Sequence, residues 1–364
     1  MYLKLNQGSK EQHLRNINQL TLKIFEYTAQ AATFDKEEFE QFVKDDEVWS
    51  TKAYRPGNPF YSNIENLFSF PQKERERIYR VIQHDMEFDQ HITDPDFVFK
   101  EHQLSDRQRE IAKKLIFYLY DNLFREGKFM FRDQEAGYQE VKDSLFEQNL
   151  SNICPACLAW QTDLKDYGEV DHYFPTKSYP ALIFHPVNLT VICSECNGLL
   201  VKGERDAFET GNLTELYIPY LRHAEEEVKL EVRLVEEGDK DGEKKTVKKM
   251  MMVPRESDVD ELINNRIQNL DNLFDLSKRW TKRMNTVIEK ELEDLKDEKK
   301  KYKAKRLLHD RVKDYKRQAA GDKTKLLEAT TLEYMENENK KSFFAEWCMR
   351  RKEQKVMSEF NANT

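Results

Sequence analysis

Two Cys-x-x-Cys pairs, Cys154/Cys157 and Cys193/Cys196, constrain this chain more than any other feature. Four soft thiolates arriving from two tight turns make a closed tetrahedral Zn²⁺ site. With all four positions filled, no place remains for water, so the zinc is expected to be structural and its binding energy to be folding energy. Such an ion clamps the intervening loop-rich segment, which has too few apolar residues to hold itself together. The start MYLKLNQGSK lacks the apolar core of a signal peptide. The pairs therefore read as metal ligands of a soluble cytoplasmic protein and not as a disulfide framework. Cys348, in FFAEWCMRR, has no Cys or His neighbour and reads as a buried thiol without chemistry.

A chain of 364 residues exceeds one ordinary core. Only 11 Gly and 10 Pro punctuate it, which favours long helices. Its longest apolar run, Leu115 to Tyr120, falls far short of the roughly 20 residues of a membrane span. The expected fold is α+β and helix-rich, with a helical region over 1–149, a zinc-stapled module over 150–207, a β-ribbon over 208–256 and a charged helical arm over 257–364. In the first region the pattern predicts a short strand, Tyr2 to Leu5, then a helix opened by a Ser9/Gln12 capping box and carrying Leu14, Ile17, Leu20, Ile24 and Tyr27 on one face. Further helices are expected after Asp35, from Pro71 as a first-turn residue, from Ser105 to Phe124 with a Ser105/Gln108 box and a stop at Gly127, and over Tyr138 to Glu147. The Pro56-Gly57-Asn58-Pro59 stretch breaks the chain. His84, His91 and His102 have no second ligand at metal spacing and read as ordinary polar residues. Val228 to Val235 and Thr246 to Val253 flank a turn-rich segment and predict a hairpin. A long charged stretch is expected from Ser277 to Ala320, interrupted at Gly321 and followed by a more apolar helix through Leu332, Phe343, Phe344 and Trp347. Its apolar positions keep no regular heptad.

Between the cysteine pairs the chain reads EVDHYFPTKSYP and then HPVNLTVICSECNGLLVKG. Asp171-His172 precede Asn188 in an Asn-Leu-Thr strand, and Asn197 follows the last cysteine. This combination resembles the HNH endonucleases, the ββα-metal nuclease family. The Asp-His…Asn…Asn order is similar to the HNH domain of RNA-guided CRISPR effectors, and the flanking cysteines resemble zinc-stapled HNH proteins of bacterial restriction and phage-defence operons. The resemblance covers residues 150–207. It implies a DNA endonuclease in antiviral defence, products with 5′-phosphate and 3′-hydroxyl ends, and a supporting role for Asn188 in orienting the catalytic histidine.

The chemistry of the residue types runs parallel to that likeness. Phosphodiester hydrolysis needs an activated water and neutralised charge on the leaving oxygen. His172 is suited as general base near neutral pH. Asp171 and Asn197 offer hard oxygens to Mg²⁺ or Mn²⁺. Asn197 stands where the simplest HNH pattern has a histidine, and an amide suits magnesium better than a catalytic transition metal. Lys177, His185, Lys202 and Arg205 are candidate substrate contacts. Each residue also has a plain structural role open to it: a loop-orienting Asp-His pair, strand and helix caps at Asn188 and Asn197, a surface histidine at His185, solvated cations elsewhere. A non-catalytic zinc module that grips nucleic acid and an RNA-directed nuclease are the rival functions.

The net charge of −8, from 59 basic and 67 acidic residues, opposes nucleic-acid binding on average. The distribution is uneven. Lys299 to Arg317 holds ten Lys or Arg against Asp310 and Asp314, while Asp35 to Glu47 holds seven acidic residues and two basic. A basic stripe on an acidic protein can meet DNA, bind a partner such as an ATPase or sensor protein, face a second copy of the chain, or stay solvated.

Overall fold

A computed structural model of the chain describes residues 2–43, 59–126, 130–131, 134–135, 137–149, 153–159, 168–238, 244–256, 260–295, 298 and 301–337. The chain divides into two compact units, one of residues 1–156 with 161–224, the other of 157–160 with 225–364. The sequence boundaries expected at 149 and 207 do not coincide with these limits. No helix among the described residues is long and apolar enough to cross a membrane.

Among the described residues the longer helices of the first unit are α1 (Glu11–Gln30), α2 (Lys36–Val43), α3 (Pro59–Leu67), α4 (Gln72–Met86), α5 (Asp106–Tyr118) and α6 (Tyr138–Gln148). α1 packs on α4, and α3 on α5. The helical face read from the sequence is the buried one, with Leu14, Ile17, Leu20, Ile24 and Tyr27 in the core. Asp35 caps α2 by accepting from the Glu38 N–H at 2.8 Å. The Ser105/Gln108 box forms at the start of α5, Gln108 N donating to Ser105 Oγ at 3.3 Å and Ser105 N to Gln108 Oε1 at 2.8 Å. Beyond Tyr118 the helix widens into a π-helical turn over Leu119–Phe124; the expected stop at Gly127 lies outside the described residues.

Three local expectations are corrected. α1 begins at Glu11 with Lys10 at the N-cap and no side-chain cap. Ser9 Oγ donates instead to Ser144 Oγ at 3.2 Å, and Lys10 N to the same oxygen at 3.0 Å. Gly8 brings the chain so close to α6 that a Cβ there would stand 2.3 Å from Ser144 Oγ. A tertiary contact has thus taken the capping serine. Tyr2 to Leu5 form no strand; Tyr2, Leu3 and Leu5 are buried while Lys4 is exposed, and Leu3 N donates to Pro155 O at 3.1 Å without a ladder to continue it. Pro71 stands at the N-cap of α4, one place before the first turn.

The module carrying the motif is strand β1 (Glu169–His172), strand β2 (Leu189–Ile192) and a one-turn helix α7 (Ser194–Asn197). β1 and β2 pair antiparallel, with Asp171 opposite Thr190 and His172 opposite Leu189. β2 is buried along its whole length.

In the second unit β3 (Val228–Gly238) pairs antiparallel with β4 (Lys244–Pro254), from Val228↔Pro254 to Gly238↔Lys244. This is the expected hairpin; its turn lies outside the described residues. Helices α8 (Glu261–Phe274), α9 (Leu276–Leu295), α10 (Lys301–Gly321) and α11 (Leu326–Asn337) follow. The charged stretch is therefore two helices, not one, and Gly321 ends the second as expected. Leu292 and Leu295 of α9, Ala304, Leu308 and Val312 of α10, and Leu332 and Met335 of α11 share one buried cluster. The apolar residues of α10 recur every fourth position, enough to bury one narrow face while its charges stay outside. Phe343, Phe344, Trp347 and Cys348 lie outside the described residues.

Candidate metal centre and active site

Cys154 and Cys157 sit in a turn, Cys193 caps α7 and Cys196 lies within it. All four are buried and form no disulfide, and their sulfurs lie within 4.8 Å of one another. Such a group can hold a metal ion such as zinc. The fit is quantitative: bonds of ~2.3 Å to a tetrahedral Zn²⁺ put sulfurs ~3.8 Å apart, and Cys154 Sγ stands 3.7 Å from Cys196 Sγ. That separation is also far beyond a disulfide bond. The turns supply supporting donors, with Cys193 N pointing at Cys154 Sγ (3.5 Å) and Cys196 N at Cys193 Sγ (3.4 Å). Backbone N–H groups aimed at sulfur favour the thiolate form that a metal requires.

At the end of β1 the half-buried His172 ring is held by its Nε2, which donates to Ile183 O at 3.0 Å. A carbonyl can only accept, so this bond fixes the Nε2–H tautomer and leaves the lone pair on Nδ1. Burial pushes the imidazole down to about 4, keeping it neutral at pH 7. Tyr120, on the π-helical turn, packs edge-on against it with ring centroids 5.5 Å apart.

Asn188 is fully buried and acts as a clamp across the connection between the strands. Its Oδ1 accepts from Phe174 N at 2.7 Å, and its Nδ2 donates to Phe174 O (3.2 Å) and Leu182 O (3.0 Å). Its own carbonyl accepts from Tyr173 N at 2.8 Å. One side chain thus ties the residues after His172 to the turn whose next carbonyl, that of Ile183, holds the imidazole.

Asp171 points the other way from His172, as alternation along a strand requires. Its Oδ1 pairs with Lys202 Nζ at 2.8 Å, with the two side chains 5% and 1% exposed. Lys202 Nζ also donates to His172 O at 2.8 Å. Burial pushes the Asp171 carboxyl up, and the Lys202 ammonium opposes it. Oδ2 of the same carboxylate is buried without a hydrogen-bond partner, a hard oxygen left over. Asn197 sits at the end of α7 and donates through Nδ2 to Glu169 Oε2. Glu169 is two residues before Asp171 on β1, hence on the same face. Asp171, Asn197 and Glu169 carry oxygens of the kind Mg²⁺ or Mn²⁺ prefers.

The four expected substrate contacts divide. Lys177 is exposed and paired with Glu204 Oε2 at 2.9 Å, and Arg205 is exposed just beyond Lys202. Lys202 is instead a buried tether to Asp171 and to the backbone of His172. His185 is 2% exposed, packed at a tilt against Phe88 with ring centroids 4.7 Å apart, and its Nε2 lies 3.7 Å from Asp89 Oδ2. Burial, reinforced by the Arg15 charge, pushes it down to about 3. Neither Lys202 nor His185 is open to a surface phosphate, because each is spent inside the unit. Sequence reading missed Glu169, which the period-2 alternation from Asp171 signals, and Tyr120, which no local pattern signals.

No known protein family, curated protein or solved structure matches this chain. The geometry above stands without a relative to lean on.

Proposed function

We propose that this chain is a metal-dependent endonuclease that hydrolyses phosphodiester bonds of DNA, with His172 as general base and Asp171 and Asn197 as ligands of Mg²⁺ or Mn²⁺. The observation that carries the reading is the state of His172: a neutral ring locked through Nε2–H, its Nδ1 lone pair left to take a proton from water, next in sequence to a buried Asp171 carboxylate that keeps one unpartnered oxygen on the other face of the strand. A bound phosphodiester brings negative charge beside the ring and raises its pKa from about 4 toward neutrality, where a general base is most effective. Asn188 fixes both ends of the loop that carries the base. Lys202 fixes Asp171 and the His172 carbonyl together. Asp171 and Asn197 would hold the divalent ion, which would supply charge neutralisation for the phosphodiester undergoing hydrolysis. The four-cysteine group holds a structural zinc that staples the module. A role in antiviral defence, with an ATPase or sensor partner, rests on the likeness to HNH proteins of defence operons.

The test is plasmid incubation with the full chain and with His172→Ala, each in EDTA, Mg²⁺ or Mn²⁺. Metal-dependent nicking or linearisation by the wild type, lost in the variant, is the expected result. Cleavage of structured RNA but not of plasmid would redirect the assignment to RNA. Absence of cleavage of either, with nucleic-acid binding retained, would sink the enzyme reading in favour of a binding module.

A further inference from the structure

The first unit contains a second feature with chemistry of its own. A cleft of about 440 Å³ is lined by Phe99, Tyr179 and Phe208, by the cations Arg109 and Lys177, and by Glu101. Its size falls in the range that takes one small ligand. The rings form a fixed wall: Phe99 lies 4.6 Å from Tyr179 and 4.9 Å from Phe208, centroid to centroid, and Tyr179 Oη donates to Asp206 Oδ2 at 2.7 Å. Tyr179 is half-buried, so part of it faces the opening. On the rim Arg109 pairs with Asp106, whose side chain is 95% exposed, and Lys177 with Glu204, both 70% exposed. Surface pairs of this kind contribute at most about 1 kcal/mol, so a phosphate can replace those carboxylates. Burial, with the Asp85 charge beside it, pushes the Glu101 carboxyl up to about 8.

We infer that this cleft binds a nucleotide, with the base against the Tyr179 ring and the phosphate on Arg109 and Lys177. An aromatic wall alone suits many apolar ligands, and two cations alone suit any anion. A base joined to a phosphate satisfies both at once, since base–aromatic stacking is indifferent to sequence and the charges bind the phosphate without reading it. The ligand is a free nucleotide or one unit of an unpaired strand. The inference does not depend on cleavage at His172.

The experiment is calorimetric titration of the full chain with adenosine monophosphate, with ribose 5-phosphate and with a short single-stranded oligodeoxyadenylate. Wild type should bind the first more tightly than the second. Arg109→Gln with Lys177→Gln, at a half-buried and an exposed position, should raise the Kd of the mononucleotide at least about ten-fold, about 1.4 kcal/mol. Tyr179→Leu, checked for an unchanged circular dichroism spectrum, should erase the preference for the base. Binding of the oligonucleotide alone would assign the cleft to a strand. The inference is overturned if wild type binds none of the probes, or if the double variant binds as wild type does. His172→Ala should bind all probes normally, so failure here and failure of the nuclease reading are separable.

Discussion

At the scale of the residue, the buried polar groups of the motif are the sensitive points. Asn188→Ala leaves Phe174 N without its acceptor and Phe174 O without its donor, and takes one of two donors from Leu182 O, which still accepts from His185 N. We expect a loss of about 1–3 kcal/mol in urea unfolding, together with loss of cleavage. Asn188→Asp should not restore either, because it turns lone pairs toward the Phe174 and Leu182 carbonyls. Lys202→Met strands the Asp171 carboxylate, and removing one partner of a buried pair costs about 3–5 kcal/mol. Adding Asp171→Leu to that variant should recover part of the stability by denaturant titration; no recovery would contradict the assigned pairing. His185 sets a pH dependence. Its folded value of about 3 lies below its unfolded value of about 6.5. The folded state therefore binds fewer protons, and stability is lost as pH falls from about 6.5 toward 3. Between pH 7 and pH 5 the His185 share of that loss is roughly 2 kcal/mol. His185→Leu should flatten the dependence by that amount, and an unchanged slope would refute it.

At the scale of the element, local signals were legible wherever the chain could satisfy them locally. The Ser105/Gln108 box and the Asp35 cap both formed, and Gln108 keeps its oxygen in the box while its Nε2 donates to Glu74. Ser9 did not cap α1, because Ser144 from α6 reached it first. Ser105→Ala should therefore cost about 1 kcal/mol in thermal unfolding, whereas Ser9→Ala should leave helix content unchanged and weaken the contact to α6. The charged stretch divided into α9 and α10 because their apolar residues close on α11 in one cluster. Leu332 is fully buried there, so Leu332→Ala should destabilise the second unit by about 2–5 kcal/mol. Denaturant unfolding followed by hydrogen exchange over α9 to α11 would read that directly.

At the scale of the whole molecule, the ion expected on the four thiols decides whether the module around it holds together. Elemental analysis should find about one zinc per chain after purification. Cys193→Ser with Cys196→Ser should abolish that content and expose β1 and β2 to proteolysis. Chelation should lower the unfolding temperature, and re-added zinc should restore it. Added Mg²⁺ should not substitute, because a hard ion does not prefer sulfur ligands.

What the sequence alone determined is what neighbouring residues encode together: the two cysteine knuckles, the helical faces, the hairpin of the second unit, and the order Asp-His, Asn, Asn. Those features depend on spacing over a few residues or on side-chain chemistry that few other types supply. The tertiary structure decided which candidates are open and which are spent. Lys202, read as a phosphate contact, is separated from Asp171 by 31 positions yet forms its buried ion pair. His185, read as a substrate contact, is enclosed by Phe88 and Asp89 from the helical part of the unit. Tyr120 meets His172 from the π-helical turn over Leu119–Phe124, about fifty positions earlier in the chain than β1. A charged or aromatic side chain carries no local mark of the distant partner that will bury it, because that choice is made by packing and desolvation once the chain has closed.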